Sequence, residues 1–116
     1  MPWLVHVQGY SMTPTLVDGD RVIVRTRGTV RCGDVVLARF RSRPKLLVIK
    51  RVSDELVAGW LLSSDNPHAG SDSRTLGPAE VLAVAGWVLR GPTGRRVIGR
   101  TGWLGRIPRR IGREVP

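Results

Sequence analysis

The sequence predicts a mainly β domain with little helix, and three observations carry that reading. Apolar residues alternate with polar ones in short runs of period two, and no stretch before residue 100 sustains a helical period. The runs follow turn residues, twice as Gly-Asp: Gly19-Asp20 before Arg21-Val22-Ile23-Val24-Arg25, and Gly33-Asp34 before Val35-Val36-Leu37-Ala38-Arg39. The composition is globular and turn-rich, 41% hydrophobic with 14 Gly and 8 Pro in 116 residues, which suits short strands joined by tight connections.

Taken in order, Trp3-Leu4-Val5-His6-Val7 opens a strand expected near 3–8. Gly9 to Leu16 is a turn region in which Met12 to Leu16 can close one helical turn. In the strand after Asp20, Val22 and Val24 share one side and Arg21 and Arg25 the other, the pattern of a half-buried antiparallel strand. Further strands are expected at 34–39, 45–53, 56–63 and 80–90. Asp65 to Pro78, rich in Gly, Ser, Asp and Pro, reads as a polar loop ordered by its own hydrogen bonds. The length allows one domain, placed at 1–90, followed by a basic tail over 91–116. Trp103, Leu104, Ile107 and Ile111 have the spacing of a basic interfacial helix. Gly105, Pro108 and Gly112 oppose such a helix and favour a loosely ordered tail.

Net charge is +10, from 19 Lys and Arg against 9 Asp and Glu. That balance suits anionic partners, or else reflects a surface that uses arginine freely. A basic nucleic-acid-binding or membrane-surface module without catalysis is therefore the alternative reading. No zinc finger, RNP-like aromatic motif or helix-turn-helix pattern accompanies the charge, so no nucleic acid is expected. Peripheral membrane contact through the tail stays open. Cys32, the one cysteine, excludes an internal disulfide and a multi-cysteine metal site. His6 and His68 lack companions at ligand spacing, so neither metal nor cofactor is expected. The longest uncharged apolar run, 81–89, is nine residues, against about 20 for a membrane helix. No secretory signal pattern opens the chain. A cytoplasmic or membrane-peripheral location is the expectation.

The candidate chemistry rests on Ser11 and Lys50. If the run around Lys50 is a strand, Leu46, Val48, Lys50 and Val52 share one face, while Lys45, Leu47, Ile49 and Arg51 share the other. Lys50 is then one charge among aliphatics. A serine needs a base within hydrogen-bonding reach, and lysine serves only when neutral. Bringing lysine from its ordinary pKa of about 10.4 to neutrality takes about 4 kcal/mol of differential solvation and charge interaction, which burial on an apolar face supplies. Near the serine, Gly9 lets a substrate backbone come close and Pro14 limits how far the turn relaxes. The Ser11 N–H is the first candidate to face a developing oxyanion, within a binding stretch of Gly9, Tyr10, Ser11 and Met12.

Taken together, Gly9 to Leu16, Gly19 to Val24, Gly33 to Leu37, Ile49 to Val52 and Asp65 to Gly77 stand in an order that resembles the type I signal peptidase family, over roughly residues 4 to 90. The resemblance implies curved antiparallel sheets of the signal-peptidase and self-cleaving-repressor type. It implies a serine endopeptidase with Ser11 as nucleophile and Lys50 as general base, removing a leader or pro-segment from a protein substrate bound as an extended strand. Asp72 and Arg74 would form an ion pair bracing the polar loop, with Asp65, Asn66 and Ser73 helping to hold it. Where many members keep a serine near the lysine, this chain has Gly70, with Ser71 beside it. With ten residues before Ser11 and Asp65-Asn66-Pro67 in the loop, the chain is most similar to the small nickel-type superoxide dismutase maturation proteases of that family.

Overall fold

The structure is a computed structural model that describes residues 2–26, 29–69, 73–97 and 113–115. Its strands are β1 (Pro2–Val7), β2 (Arg21–Arg25), β3 (Val35–Phe40), β4 (Val48–Leu56), β5 (Gly59–Ser63), β6 (Ala79–Arg90), β7 (Thr93–Arg96) and β8 (Arg113–Val115), with one short helix, α1 (Ser73–Leu76). All pairings are antiparallel except that of β8 with β1.

The long strand β6 organises the rest. Its first half pairs with β3 and, at Ala79, with β5, while its second half pairs with β2 and β7. Irregular register between Leu37 and Ala38 and between Ile23 and Val24 bends the sheet where β6 changes partners. Because β4 pairs with both β3 and β5, strands β3, β4, β5 and β6 close on themselves. Val36, Ala38, Phe40, Val48, Val52, Leu62, Ala79 and Val84 form one core on one face of these strands. The opposite face of the same strands contributes Val35, Leu37, Ile49, Ala83 and Ala85 to a second core with Val5, Val22, Val24, Met12 and Leu16. Burial on both faces explains why β3 and β6 read as nearly continuous apolar runs.

The two Gly-Asp pairs close the same turn. Gly19 and Gly33 take φ of +89° and +95°, a region that disfavours any side chain. In each turn the Asp N–H donates to the carbonyl three residues back, Val17 or Arg31, at 3.0 Å. The buried carboxylate accepts in return from the N–H of Val17 at 2.8 Å or Arg31 at 2.9 Å. The repeated dipeptide is thus a repeated solution to starting a strand from a turn without orphaned polar groups.

Some expectations need correcting. β4 begins at Val48 rather than 45, because Arg43 to Leu46 forms a turn around Pro44, with Leu46 N donating to Arg43 O at 3.1 Å. It runs on to Leu56, and Val57-Ala58 is the hairpin tip, so β5 begins at Gly59 rather than 56. Leu56 and Val57 look like core residues in sequence but are exposed at that tip. Gly59 has φ +142°, and a Cβ there would lie 2.8 Å from Ala79 O. The polar loop contains α1. Beyond residue 90 the sheet continues through β7, and Val97 is buried in the second core. The tail positions Trp103, Leu104, Ile107 and Ile111 lie outside the described residues.

Candidate active site

Alternation along β4 decides which cation goes where. Val48, Lys50 and Val52 point to one face and Ile49 to the other. Lys50 stands opposite Val36 in the β3–β4 register and is 2% exposed. Ser11 sits in the turn after β1, also buried, and Lys50 Nζ donates to Ser11 Oγ at 2.6 Å. Residues 39 apart in sequence thus meet in a hydrogen bond within an apolar setting.

The nucleophile turn is held from two sides. Leu16 N donates to Met12 O at 2.8 Å, closing the expected helical turn, and Met12 and Leu16 anchor it in the second core. Gly9 takes φ +84° and its N–H donates to Asp18 Oδ1 at 2.8 Å. A Cβ at Gly9 would meet nothing within 4 Å, so glycine serves backbone conformation there and leaves the space beside Ser11 open. Tyr10 is largely exposed, and Pro14 follows a cis peptide bond.

Asp65 and Asn66 clamp this turn from outside. Asn66 N donates to Ser11 O at 2.9 Å, and its side-chain amide donates to Tyr10 O and Thr13 Oγ1, both at 3.2 Å. Asp65 accepts from Thr15 Oγ1 at 2.5 Å and from Arg51 Nε and Nη2, each at 2.8 Å. Arg51 Nη1 also donates to Gly33 O at 2.6 Å. Burial pushes the Asp65 carboxyl up, but hydrogen bonds from Arg51 and Thr15, with the Arg51 charge, outweigh it and hold the group below its ordinary 3.8. The hydrogen bonds that Arg51 donates to Asp65 raise its guanidinium against the lowering effect of its own burial. Asp65 therefore stays a carboxylate and Arg51 a cation, and the strand that carries Lys50 is tied to the turn that carries Ser11.

Asp65 and Asn66 thus touch the turn as well as the loop, a larger part than the sequence reading assigned them. Ser73 Oγ accepts from Leu62 N at 2.7 Å and so ties α1 to β5. Arg74 is exposed on α1, away from the Ser11–Lys50 contact. Asp72, its expected partner, lies outside the described residues, as do Gly70 and Ser71. Sequence reasoning gave Arg51 and Thr15 no role. The signal was present in Lys50-Arg51: on a strand, adjacent residues face opposite ways, so a buried Lys50 leaves Arg51 to meet whatever covers the other face.

Ser11 and Lys50 open into a groove of about 360 Å³ walled by Phe40, Leu46, Val48 and Leu76. The Ser11 N–H has no acceptor among the described residues. The site thus offers a hydroxyl, a buried amine in contact with it, an uncommitted N–H donor and an apolar trough alongside. No helix among the described residues is long and apolar enough to cross a membrane.

Residues 3–89 match the Peptidase S24-like family. The chain is also similar to the mitochondrial ATP-independent inner membrane protease subunit 1a of Arabidopsis thaliana. The two are 32% identical over 111 residues, covering 72% of this chain and 66% of that protein, slightly under two thirds of its length. The chain belongs to the S24-like peptidase family, as the signal peptidase-like resemblance of its motifs implied.

Proposed function

We propose that this member of the S24-like peptidases is a serine endopeptidase in which Ser11 attacks and Lys50 is the general base. The observation that carries the reading is the 2.6 Å contact between Lys50 Nζ and Ser11 Oγ, with Lys50 buried. Burial disfavours the ammonium, so the amine loses its proton more readily than an exposed lysine does. Once neutral, it accepts the hydroxyl proton instead of donating to the oxygen. Oγ then bonds to the scissile carbonyl carbon, and the carbonyl electrons move to oxygen, where the Ser11 N–H stabilises them. The Lys50 ammonium passes its proton to the leaving amine as the C–N bond breaks, leaving an acyl-serine. A water, deprotonated by Lys50, releases the acyl group and restores Ser11.

The substrate in this reading is a protein with a cleavable N-terminal extension, lying extended in the groove with main-chain bonds giving affinity. The nickel-type superoxide dismutase precursor is one candidate, on the sequence resemblance alone. Incubating the purified protein with candidate precursors, and sequencing the products by mass spectrometry, tests the assignment. A single cut that vanishes in Ser11→Ala and in Lys50→Ala supports the dyad; full cleavage by either folded variant refutes it.

A further inference from the structure

The end of β3 and the loop that leads to β4 carry Arg39, Arg41, Arg43 and Lys45, and the polar groups of this segment are mostly committed. Arg39 pairs with Glu80 at 3.0 Å, Arg41 Nε donates to Ala58 O at 2.8 Å, and Ser42 Oγ donates to Leu76 O at 2.8 Å. Backbone bonds from Arg43 N to Phe40 O and from Leu46 N to Arg43 O, at 3.0 and 3.1 Å, fix the turn around Arg43. The Arg43 guanidinium itself makes no hydrogen bond or ion pair with a described residue. Yet Arg43 lines the groove into which Ser11 and Lys50 open.

Among the described residues that line this groove, Arg43 and Lys50 are the only basic ones, and none is an acid. In the proposed reaction Lys50 must be neutral to act, which leaves Arg43 as the lasting positive charge beside an apolar trough. An arginine fork fits a carboxylate through two parallel N–H bonds. We propose that Arg43 reads a carboxylate side chain on the substrate, so that the protein selects peptides with Asp or Glu at one fixed position near the scissile bond. This inference rests on the groove being the substrate site.

The test has a cleavage arm and a binding arm. In the first, a proteome-derived peptide library is digested, and cleavage positions are mapped by mass spectrometry for wild type, Arg43→Gln, Arg43→Lys and Arg43→Glu. In the second, peptides matched except for Glu or Gln at the selected position bind the Ser11→Ala variant, followed by fluorescence polarisation. Wild type is expected to enrich Asp and Glu at one position and to favour the Glu peptide about fivefold, in KM rather than kcat, as for an exposed charge pair. The preference should shrink toward unity in Arg43→Gln, persist in part in Arg43→Lys, and turn toward Lys and Arg in Arg43→Glu.

Cleavage without acidic enrichment, or a Glu preference that survives Arg43→Gln, overturns the role of Arg43 and leaves the protease reading intact. A Glu preference in binding, abolished by Arg43→Gln, upholds it even if no cleavage occurs, in which case the protease reading is what fails. Absence of both binding and cleavage overturns both.

Discussion

On β4 the side chain of Lys50 points into an apolar core against a serine hydroxyl, while that of Arg51, the next residue, is gripped through two nitrogens by Asp65. The backbone treats the two residues alike; the alternation of a strand sends them to opposite faces. Arg51 keeps its charge because a carboxylate compensates its burial, and the guanidinium is hard to deprotonate in any case. Lys50 donates to the Ser11 hydroxyl and is buried, and burial favours the neutral amine over the ammonium. In the proposed reaction one cation serves as a fixed brace and the other as the group that exchanges a proton. An enzyme that needs a lysine base must keep strong charges close enough to fix geometry yet turned away from the amine.

The largest effect expected from disturbing this pair is on the Lys50 face. Lys50→Met should lower kcat/KM for a cleaved peptide at least about 10³-fold while leaving the midpoint of urea unfolding unchanged or higher, because an apolar side chain of similar length suits the core. Marked destabilisation by Lys50→Met would break the contrast with Arg51.

Arg51→Ala should do the reverse in stability. Both partners are mostly buried, with side chains 22% and 14% exposed. Removing one leaves Asp65 uncompensated and should cost about 2–3 kcal/mol in chemical denaturation. Arg51→Lys should recover only part, since a single ammonium cannot reproduce the two-pronged contact or the bond to Gly33 O. Activity should fall as well, because Asp65 also holds Thr15 in the nucleophile turn.

Acid titration sharpens the brace further. Asp65 and Asp20 both sit below their ordinary 3.8: burial raises each carboxyl, but hydrogen bonds outweigh it, from Arg51 and Thr15 at Asp65 and from Arg90 and the Val17 N–H at Asp20. A depressed carboxyl stabilises the fold fully above its unfolded value and loses that contribution as pH falls through the lower folded value. Unfolding followed by circular dichroism should therefore set in below about pH 4, with a weaker pH dependence in Asp65→Asn. The smallest effect is expected at the paired turns. Gly33→Ala, at φ +95°, should cost about 1 kcal/mol with little change in cleavage.

Much of this arrangement was legible in the sequence, because β structure converts spacing into facing. The side of Lys50, the helical turn from Met12 to Leu16 and the strands after the Gly-Asp turns all follow from local pattern. Tertiary competition was harder to read. Leu56 and Val57 carry strand-like side chains but mark a hairpin tip, because Gly59 allows a close approach to β6 that they cannot make. Similarly, the link from Arg51 through Asp65 to Thr15 joins segments 14 and 36 residues away from Arg51, a pairing that no local rule specifies. Sequence similarity suggested an acid–base brace at Asp72 and Arg74. Asp72 lies outside the described residues; two ion pairs that similarity did not suggest, Arg51–Asp65 and Arg90–Asp20, meet the nucleophile turn.

The proposed mechanism requires that Lys50 be a neutral amine at working pH while Arg51 stays charged. Direct NMR titration of the Lys50 ε-amine in the folded protein tests it. The account predicts a midpoint well below the ordinary lysine value of about 10.4, with kcat/KM rising as the same group loses its proton. A Lys50 amine that titrates at or above the ordinary value, in a protein that still cleaves, would contradict it.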